Sequence, residues 1–333
     1  MLKKKLHCFR ILTVLCFCGL FPAMVQAAQF KVLAVMSYEE DFTWTMAIKQ
    51  GIDSALADTC EVRYFYMDTK KNLEGGPEKA TQAHALYQKF QPDGVITADD
   101  NAQSMFVVPY LKDKVKAPVM FCGVNAEPEK YGYPASNVSG ILERLHLHES
   151  VVLAKNIVPS IRNFGFIIKY SPTADAILRQ IKRESDDYPA KFVAMKTPKT
   201  LKEAVTMTEE LREQCDLLFL SAVQGLAGEG GEPVIEKEAV SLLVKTFGKP
   251  TISTEEHNVK HGTLCAVSRT GQEQGRTAAK MLLKAMQGTR MAEIPITQNY
   301  QGKRIINATV IKTLGIKPKL EFLIGAEVVK TEE

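Results

Sequence analysis

One apolar segment and the helix-like segment that follows it limit the folds open to this chain. Phe30–Met36 is a short, mainly apolar run without interior Gly or Pro, typical of a strand buried on both faces. After a polar break, Trp44, Ile48, Ile52 and Leu56 recur at every fourth position, the spacing of one helix face. Strand, loop and helix in this order predict the first unit of an open parallel sheet.

The loop of this unit holds polar and aromatic residues where the strand ends. They are Ser37, Tyr38, Phe42 and Trp44, and Trp44 is the single Trp of the chain. Ligands of open parallel sheets bind beyond the carboxyl ends of the strands. Two interpretations stay open: the three aromatic side chains line a ligand cleft, or they pack in the core beneath the helix.

Small residues and capping residues give two further expectations for this helix. Ala47, Gly51 and Ala55 form a stripe that predicts close packing on the sheet. Asp41 or Thr43 is the expected N-cap, because short polar side chains favour that position.

The amino terminus has the pattern of a secretory signal. Four basic residues precede an apolar run, Ile11–Phe21, and small residues flank Gln26. The run is shorter than the roughly 20 residues that a membrane span needs, which disfavours an uncleaved anchor. We therefore expect residues 1–27 to be a signal peptide that is cleaved after Ala27, and the protein to be periplasmic or secreted.

Removal of this segment changes the charge and cysteine content. The chain has 42 Lys and Arg against 38 Asp and Glu, and the predicted signal holds four of the basic residues and none of the acidic ones. The remainder is formally neutral, so charge gives no support for nucleic-acid binding. Four of the seven Cys remain, widely spaced and without a CxxC motif, and we expect them to be buried free thiols. They are Cys60, Cys122, Cys215 and Cys265.

Strand-like and helix-like segments alternate in two similar series. Strands of the first series are predicted at Phe30–Met36, Cys60–Met67, Asp93–Ala98 and Ala117–Cys122, and those of the second at Phe164–Lys169, Lys191–Met195, Asp216–Leu220 and Pro250–Ser253. This alternation predicts an α/β protein with two doubly wound parallel-sheet lobes joined by a hinge. We expect one lobe to comprise 28–139 plus 266–290, and the other 140–265 plus 291–333.

Polar residues follow several of these strands and are candidate ligand contacts. In the first lobe they are Asp99, Asp100, Asn101, Gly123 and Asn125; in the second they are Tyr170, Ser171, Thr173, Ala222, Gln224 and Glu255. An Asp suits a ligand ammonium group, a helix start suits a carboxylate, and Gly permits close approach. Several also have a structural alternative: helix capping for the Asp residues, Asn101 and Ser171, a plain turn for Gly123 and Asn125, and a solvated loop for Glu255.

Catalytic and cofactor motifs give little support for an enzyme. The chain lacks a GxSxG nucleophile elbow, and its Gly225–Gly231 run lacks a phosphate-loop Lys. His146 and His148, and likewise His257 and His261, have no further ligands at metal-site spacing, so neither a metal nor another cofactor is predicted.

Five segments in order resemble the substrate-binding proteins of ABC transporters, in the subgroup that includes tryptophan and tyrosine receptors. The segments are VMSYEEDFTW, APVMFCGVNAEPEKYG, NVSGILE, GQEQGRTAAKMLLKAMQGT and IINATVIKTLGIKP. The resemblance covers most of the chain after the predicted signal, and the segments that carry it are spread along that length. One position departs from the family pattern, with Glu127 before Pro128 where Asp is usual.

The resemblance implies a type I periplasmic-binding-protein fold, with a ligand held between two lobes that close on it. It implies a small-molecule ligand, with an aromatic or apolar amino acid as the expected class, and an ABC permease in the inner membrane as the partner of a monomeric protein. An exported sensory protein of the same fold is the alternative, and an exported α/β enzyme is the less favoured one.

Overall fold

Two sheets, each covered by helices on both faces, make up the part of the chain that the computed structural model describes, residues 30–332. The predicted signal peptide, residues 1–27, lies outside the described residues. No helix among the described residues is long and apolar enough to cross a membrane.

The sheet of the first lobe is entirely parallel. Its strands are β1 (Phe30–Met36), β2 (Cys60–Tyr66), β3 (Gly94–Ala98), β4 (Val119–Val124), β5 (Val138–Leu142) and β11 (Thr297–Gln298). The order across the sheet is β2-β1-β3-β4-β5-β11. Its helices are α1 (Thr43–Leu56), α2 (Gly76–Phe90), α3 (Asp99–Ala102), a π-helix (Gln103–Leu111) and α9 (Gly271–Met286).

The sheet of the second lobe repeats this order. Its strands are β6 (Asn163–Ile168), β7 (Lys191–Lys196), β8 (Leu217–Ser221), β9 (Thr251–Ser253), β10 (Cys265–Ser268), β12 (Lys303–Asn307) and β13 (Glu327–Val329). They lie in the order β7-β6-β8-β9-β10-β12-β13, and only the β10–β12 pair is antiparallel. Its helices are α4 (Leu147–Ile157), α5 (Pro172–Arg183), α6 (Leu201–Gln214), α7 (Glu236–Phe247), α8 (Glu256–Lys260) and α10 (Ala308–Thr313). The predicted α/β fold with two doubly wound sheets is confirmed.

Helix α1 buries Ile48, Ile52 and Leu56, as its periodicity predicts. Its small-residue stripe, however, meets α9 and not the sheet, since a Cβ at Gly51 would collide with the Gln272 carbonyl oxygen of α9. The capping prediction is also wrong: Phe42 occupies the N-cap position and makes no side-chain capping bond.

The helix that follows α3 and the cysteines complete the local structure. The π-helix Gln103–Leu111 contains Pro109 and therefore lacks one backbone donor. The four Cys predicted to be buried free thiols are buried and free.

The chain crosses between the lobes at 143–146, 269–270 and 299–302, because the strands or helices on either side of these segments belong to different lobes. The predicted boundaries after 139 and 265 fall inside β5 and β10, and β11 belongs to the first sheet although it was assigned to the second lobe. Gly140 lies in β5, where a Cβ would collide with Phe121 of β4.

Hydrogen bonds of the buried residues Asn299 and Glu273 hold the crossings together. Asn299 accepts from the backbone N–H of Arg144 at 2.7 Å and donates to its carbonyl at 2.9 Å, which joins the third crossing to the first. Glu273, near the start of α9, accepts three successive backbone N–H groups of residues 300–302 at 2.8–3.1 Å. The third crossing is therefore tied to the first crossing and to the start of α9.

Candidate ligand-binding site

A cleft of about 270 Å³ lies where the strands of the first lobe end and the chain crosses to the second. Its lining residues are Tyr38, Phe42, Trp44, Lys70, Asp99, Asn125, Glu143 and Arg269. A larger groove, of about 710 Å³, has mainly aliphatic and Pro walls and a single charged lining residue, Asp113, so it lacks the convergent polar groups that fix a ligand.

Asp99 is the buried acid of the cleft. It follows β3 with φ of 68° and is 3% exposed. Its Oδ1 accepts a hydrogen bond from Trp44 Nε1 at 3.0 Å. A Cβ at Gly123 would lie 2.9 Å from this oxygen, so glycine at this strand end leaves room for the carboxylate.

The charge state of Asp99 follows from these surroundings. Burial, and then the neighbouring Glu143 carboxylate, raise the pKa of Asp99 well above its usual value. No Lys, Arg or His in 30–332 pairs with Asp99 within ion-pair distance, since its direct side-chain partner is the neutral Trp44 indole. A ligand cation would supply the partner that this carboxylate lacks.

Two aromatic rings line the cleft together with this acid. The Tyr38 and Phe42 rings meet edge to face, with centroids 5.5 Å apart and planes at 84°. The Lys70 Nζ lies 4.6 Å from the Tyr38 centroid and 5.2 Å from that of Phe42. Burial, followed by the charge of Asp99, raises the pKa of the Tyr38 hydroxyl, which therefore stays neutral and can donate a hydrogen bond.

An ion-pair bridge lies on the side of the cleft where the chain crosses between the lobes. Arg269 Nε lies 2.5 Å from Glu143 Oε1, and its Nη1 lies 3.0 Å from Glu255 Oε1. Asn125 Nδ2 donates to Glu143 Oε2 at 3.2 Å. Burial raises the pKa of Glu143, and the Arg269 charge opposes that shift. Glu255 is therefore engaged by Arg269, and the bridge links two crossings to the second lobe.

Three predicted residues of the first lobe shape the cleft without lining it. The buried Ser37 hydroxyl donates to a backbone carbonyl at the end of β3 at 2.6 Å and accepts from a backbone N–H of α3 at 2.8 Å. Asp100 accepts two successive backbone N–H groups beginning at Asn125, at 3.0 and 3.2 Å. Asn101 donates to Thr69 at 2.9 Å. Neither Asp99 nor Asp100 caps the following helix.

The predicted residues of the second lobe lie at strand ends but do not line this cleft. Ser171 caps α5 by accepting from the Ala174 backbone N–H at 3.3 Å, which is its structural alternative. Tyr170 is 62% exposed, and Ala222 and Gln224 are exposed as well. Thr173 is the second residue of α5, and its side chain lies outside the described part of the molecule.

Sequence reasoning missed three charged residues of the cleft: Lys70, Glu143 and Arg269. Glu143 and Arg269 each come directly after a buried strand, β5 and β10, and that position was the available signal. Lys70 lies four residues beyond the end of β2, in a turn without a distinctive pattern.

Comparison with known proteins gives a family and a fold. A family model described as "ABC transporter substrate binding protein" matches residues 32–330. A tyrosine-binding protein of Clostridioides difficile is 24% identical over 215 residues, which span 63% of this chain and 58% of that protein, less than two thirds of its length.

Two solved structures are similar over 91% of this chain and the whole of their own. The ligand-free, open form of a substrate-binding protein with adhesive properties from Clostridium difficile is 16% identical, with a TM-score of 0.68. An ABC domain from Streptococcus pneumoniae in complex with L-Trp is 17% identical, with a TM-score of 0.52. At these identities the likeness concerns the fold alone.

Proposed function

The chain belongs to the family of ABC transporter substrate-binding proteins, and from this premise we propose that it is the extracytoplasmic solute-binding component of an ABC importer. Its fold is that of the type I periplasmic binding proteins, as predicted. The family and the curated relative are binding proteins and not enzymes, so the alternative of an exported enzyme is wrong.

The ligand that we propose is an amino acid with an aromatic or other apolar side chain. The observation that carries this proposal is the buried Asp99 carboxylate, which accepts a hydrogen bond from Trp44 in the cleft that the Tyr38 and Phe42 rings also line. An ammonium group would pair with Asp99, and the rings would pack against an apolar side chain. The names of two similar proteins, one tyrosine-binding and one in complex with L-Trp, agree with this class.

Binding is proposed to occur by closure of the lobes. A ligand that contacts both lobes stabilises the closed form by its differential affinity for that form. Tyr170, Ser171, Thr173 and Gln224 at the strand ends of the second lobe are then the groups expected to meet the ligand on closure. We further propose a periplasmic or secreted monomer, exported by residues 1–27, that delivers its ligand to an ABC permease in the inner membrane.

A thermal-shift screen of the purified protein against the standard amino acids tests this function. At a ligand concentration of 100 times Kd, binding adds about 2.7 kcal/mol to the free energy of unfolding, which such a screen resolves. We expect Tyr, Trp or Phe to raise Tm, and 3-phenylpropionate, which lacks the amino group, to have no effect. Small-angle scattering should then show a smaller radius of gyration with the ligand bound. Stabilisation by none of the amino acids, or binding without compaction, would contradict the proposal.

A further inference from the structure

Lys70 lines the cleft, and no described carboxylate pairs with it. Its Nζ packs against two rings, 4.6 Å from the Tyr38 centroid and 5.2 Å from that of Phe42. No Asp or Glu within 30–332 comes within ion-pair distance of it. The next residue, Lys71, pairs with Asp41 at 3.3 Å. In the ligand-free protein the Lys70 ammonium is therefore held mainly by cation–π contacts.

The charges around the cleft favour a cation beside the Tyr38 and Phe42 rings. Arg269 pairs with both Glu143 and Glu255, so its single positive charge is already opposed by two carboxylates. Among residues 30–332, Asp99 has no direct cationic partner, and its burial makes an unpaired charge costly. Lys70 is near enough to favour ionised Asp99, although burial and Glu143 act more strongly in the other direction. Two aromatic faces beside a buried carboxylate are the elements of an ammonium site.

We propose that Lys70 is a tethered competitor for the ligand's ammonium group: its own ammonium rests on the Tyr38 and Phe42 rings in the free protein and leaves when a ligand ammonium pairs with Asp99. The proposal rests on the function proposed above and adds a specificity-determining residue. Lys70 is exposed and has a flexible stem, so its departure into water carries a small cost. A ligand without a cationic group would have to remove Lys70 without replacing its charge, and is therefore selected against.

The resting position of Lys70 can be tested without a ligand. After reductive methylation of the lysines with ¹³C, ring currents should shift one methyl resonance upfield, and that resonance should be missing from Lys70→Gln. Tetramethylammonium, as a probe cation for the rings, should move the resonance to the position of the other lysines. An unshifted Lys70 resonance in the free protein would overturn the proposal, whatever the protein binds.

The effect on binding can be followed through Trp44, the single Trp of the chain, which lines the cleft. With L-phenylalanine as the probe, we expect Lys70→Gln to bind about two- to fivefold more tightly than the wild type, the range that a lost cation–π contact at an exposed site represents. Lys71→Gln removes the same charge one residue away and should bind like the wild type.

The remaining outcomes separate this proposal from the function it rests on. Weaker binding by Lys70→Gln would mean that Lys70 holds the ligand's carboxylate, and unchanged binding would mean that it does not compete; both overturn the proposal. Failure of every amino acid to bind the wild type would count against the proposed function, while the methyl resonance would still decide where Lys70 rests.

Discussion

The two lobes share a backbone conformation at matching strand ends, but the side chains at these positions differ. Asp99 follows β3 and Ala222 follows β8, the strands that occupy matching positions in their sheets. Both residues have positive φ, 68° and 46°, which is uncommon for residues other than Gly. Asp99 is buried and lines the cleft, whereas Ala222 is exposed. The turn with positive φ is thus common to both lobes, and only the first lobe carries a carboxylate at this turn.

The aromatic residues show the same asymmetry. Tyr38 follows β1 and Tyr170 follows the matching strand β6, and each has a Lys Nζ over its ring, Lys70 at 4.6 Å and Lys199 at 5.0 Å. Tyr38 also has the Phe42 ring beside it and a buried acid nearby, while Tyr170 is 62% exposed. We infer that the first lobe recognises the ligand and that the second completes the site on closure.

Removal of the Asp99 charge should have the largest effect on binding. In Asp99→Asn the Trp44 hydrogen bond is kept, while the partner for a ligand ammonium is lost. Truncating one partner of a buried charge pair typically costs 2–5 kcal/mol, so we expect amino-acid affinity to fall about a hundredfold, as measured by calorimetry. Asp41→Asn, which removes an exposed carboxylate outside the cleft lining, should change affinity less than twofold. Equal losses of affinity in the two variants would contradict the inference that the buried acid of the first lobe recognises the ligand.

Loss of the bridge between the lobes should reduce stability. Arg269→Gln leaves Glu143 buried without its cation, and breaking a buried pair costs about 3–5 kcal/mol. Because the Arg269 side chain is 28% exposed, we expect a smaller decrease in the free energy of unfolding, about 2 kcal/mol, by urea denaturation. Arg290→Gln, at an exposed Arg–Glu pair, should change it by less than about 0.5 kcal/mol. An unchanged unfolding midpoint in Arg269→Gln would show that the bridge is dispensable.

The pH dependence of stability should distinguish the first lobe further. The pKa of Asp99 is raised in the folded state by burial and by Glu143, so the folded state binds a proton that the unfolded state releases. Its contribution to stability is fully present below the unfolded pKa, about 3.9, and is lost as the pH rises through the folded value. Ligand-free Asp99→Asn should therefore gain stability over the wild type as the pH rises from about 4. The free energy of unfolding of both proteins is measured by urea denaturation at each pH. Parallel profiles would contradict the assignment of this pH dependence to Asp99.

Local patterns in the sequence were sufficient for most of the strands and helices and, in the cleft, for the aromatic residues and Asp99. The apolar run Phe30–Met36 and the periodicity of 44–56 fixed a strand and a helix, and the rule on strand ends led to Trp44 and Asp99. These inferences need only neighbouring residues, since burial and spacing are local properties.

The missed residues depend on contacts between distant parts of the chain. Arg269 meets Glu143 only because the chain returns to the first lobe. Lys70 meets Tyr38 because the strands that precede them, β2 and β1, are paired in the sheet. The lobe boundaries were missed for a related reason: β11 has only two residues, Thr297 and Gln298, and its membership of the first sheet is set by pairing with β5. Sequence periodicity holds no information about such pairings.

The second lobe should give the smallest effect, and Tyr170 is the residue that tests it. Because its side chain is mostly exposed, Tyr170→Ala should leave the stability of the free protein within about 0.5 kcal/mol of the wild type. If the ring meets the ligand only after closure, affinity should fall about three- to tenfold, mainly through faster dissociation, because changes at one interface act mostly on that rate. Stopped-flow measurement of Trp44 fluorescence separates the two rates. Lys199→Gln, which removes the cation above the ring and keeps the ring, is the matched control and should bind normally. A loss with Tyr170→Ala as large as that with Asp99→Asn would mean that both lobes recognise the ligand equally.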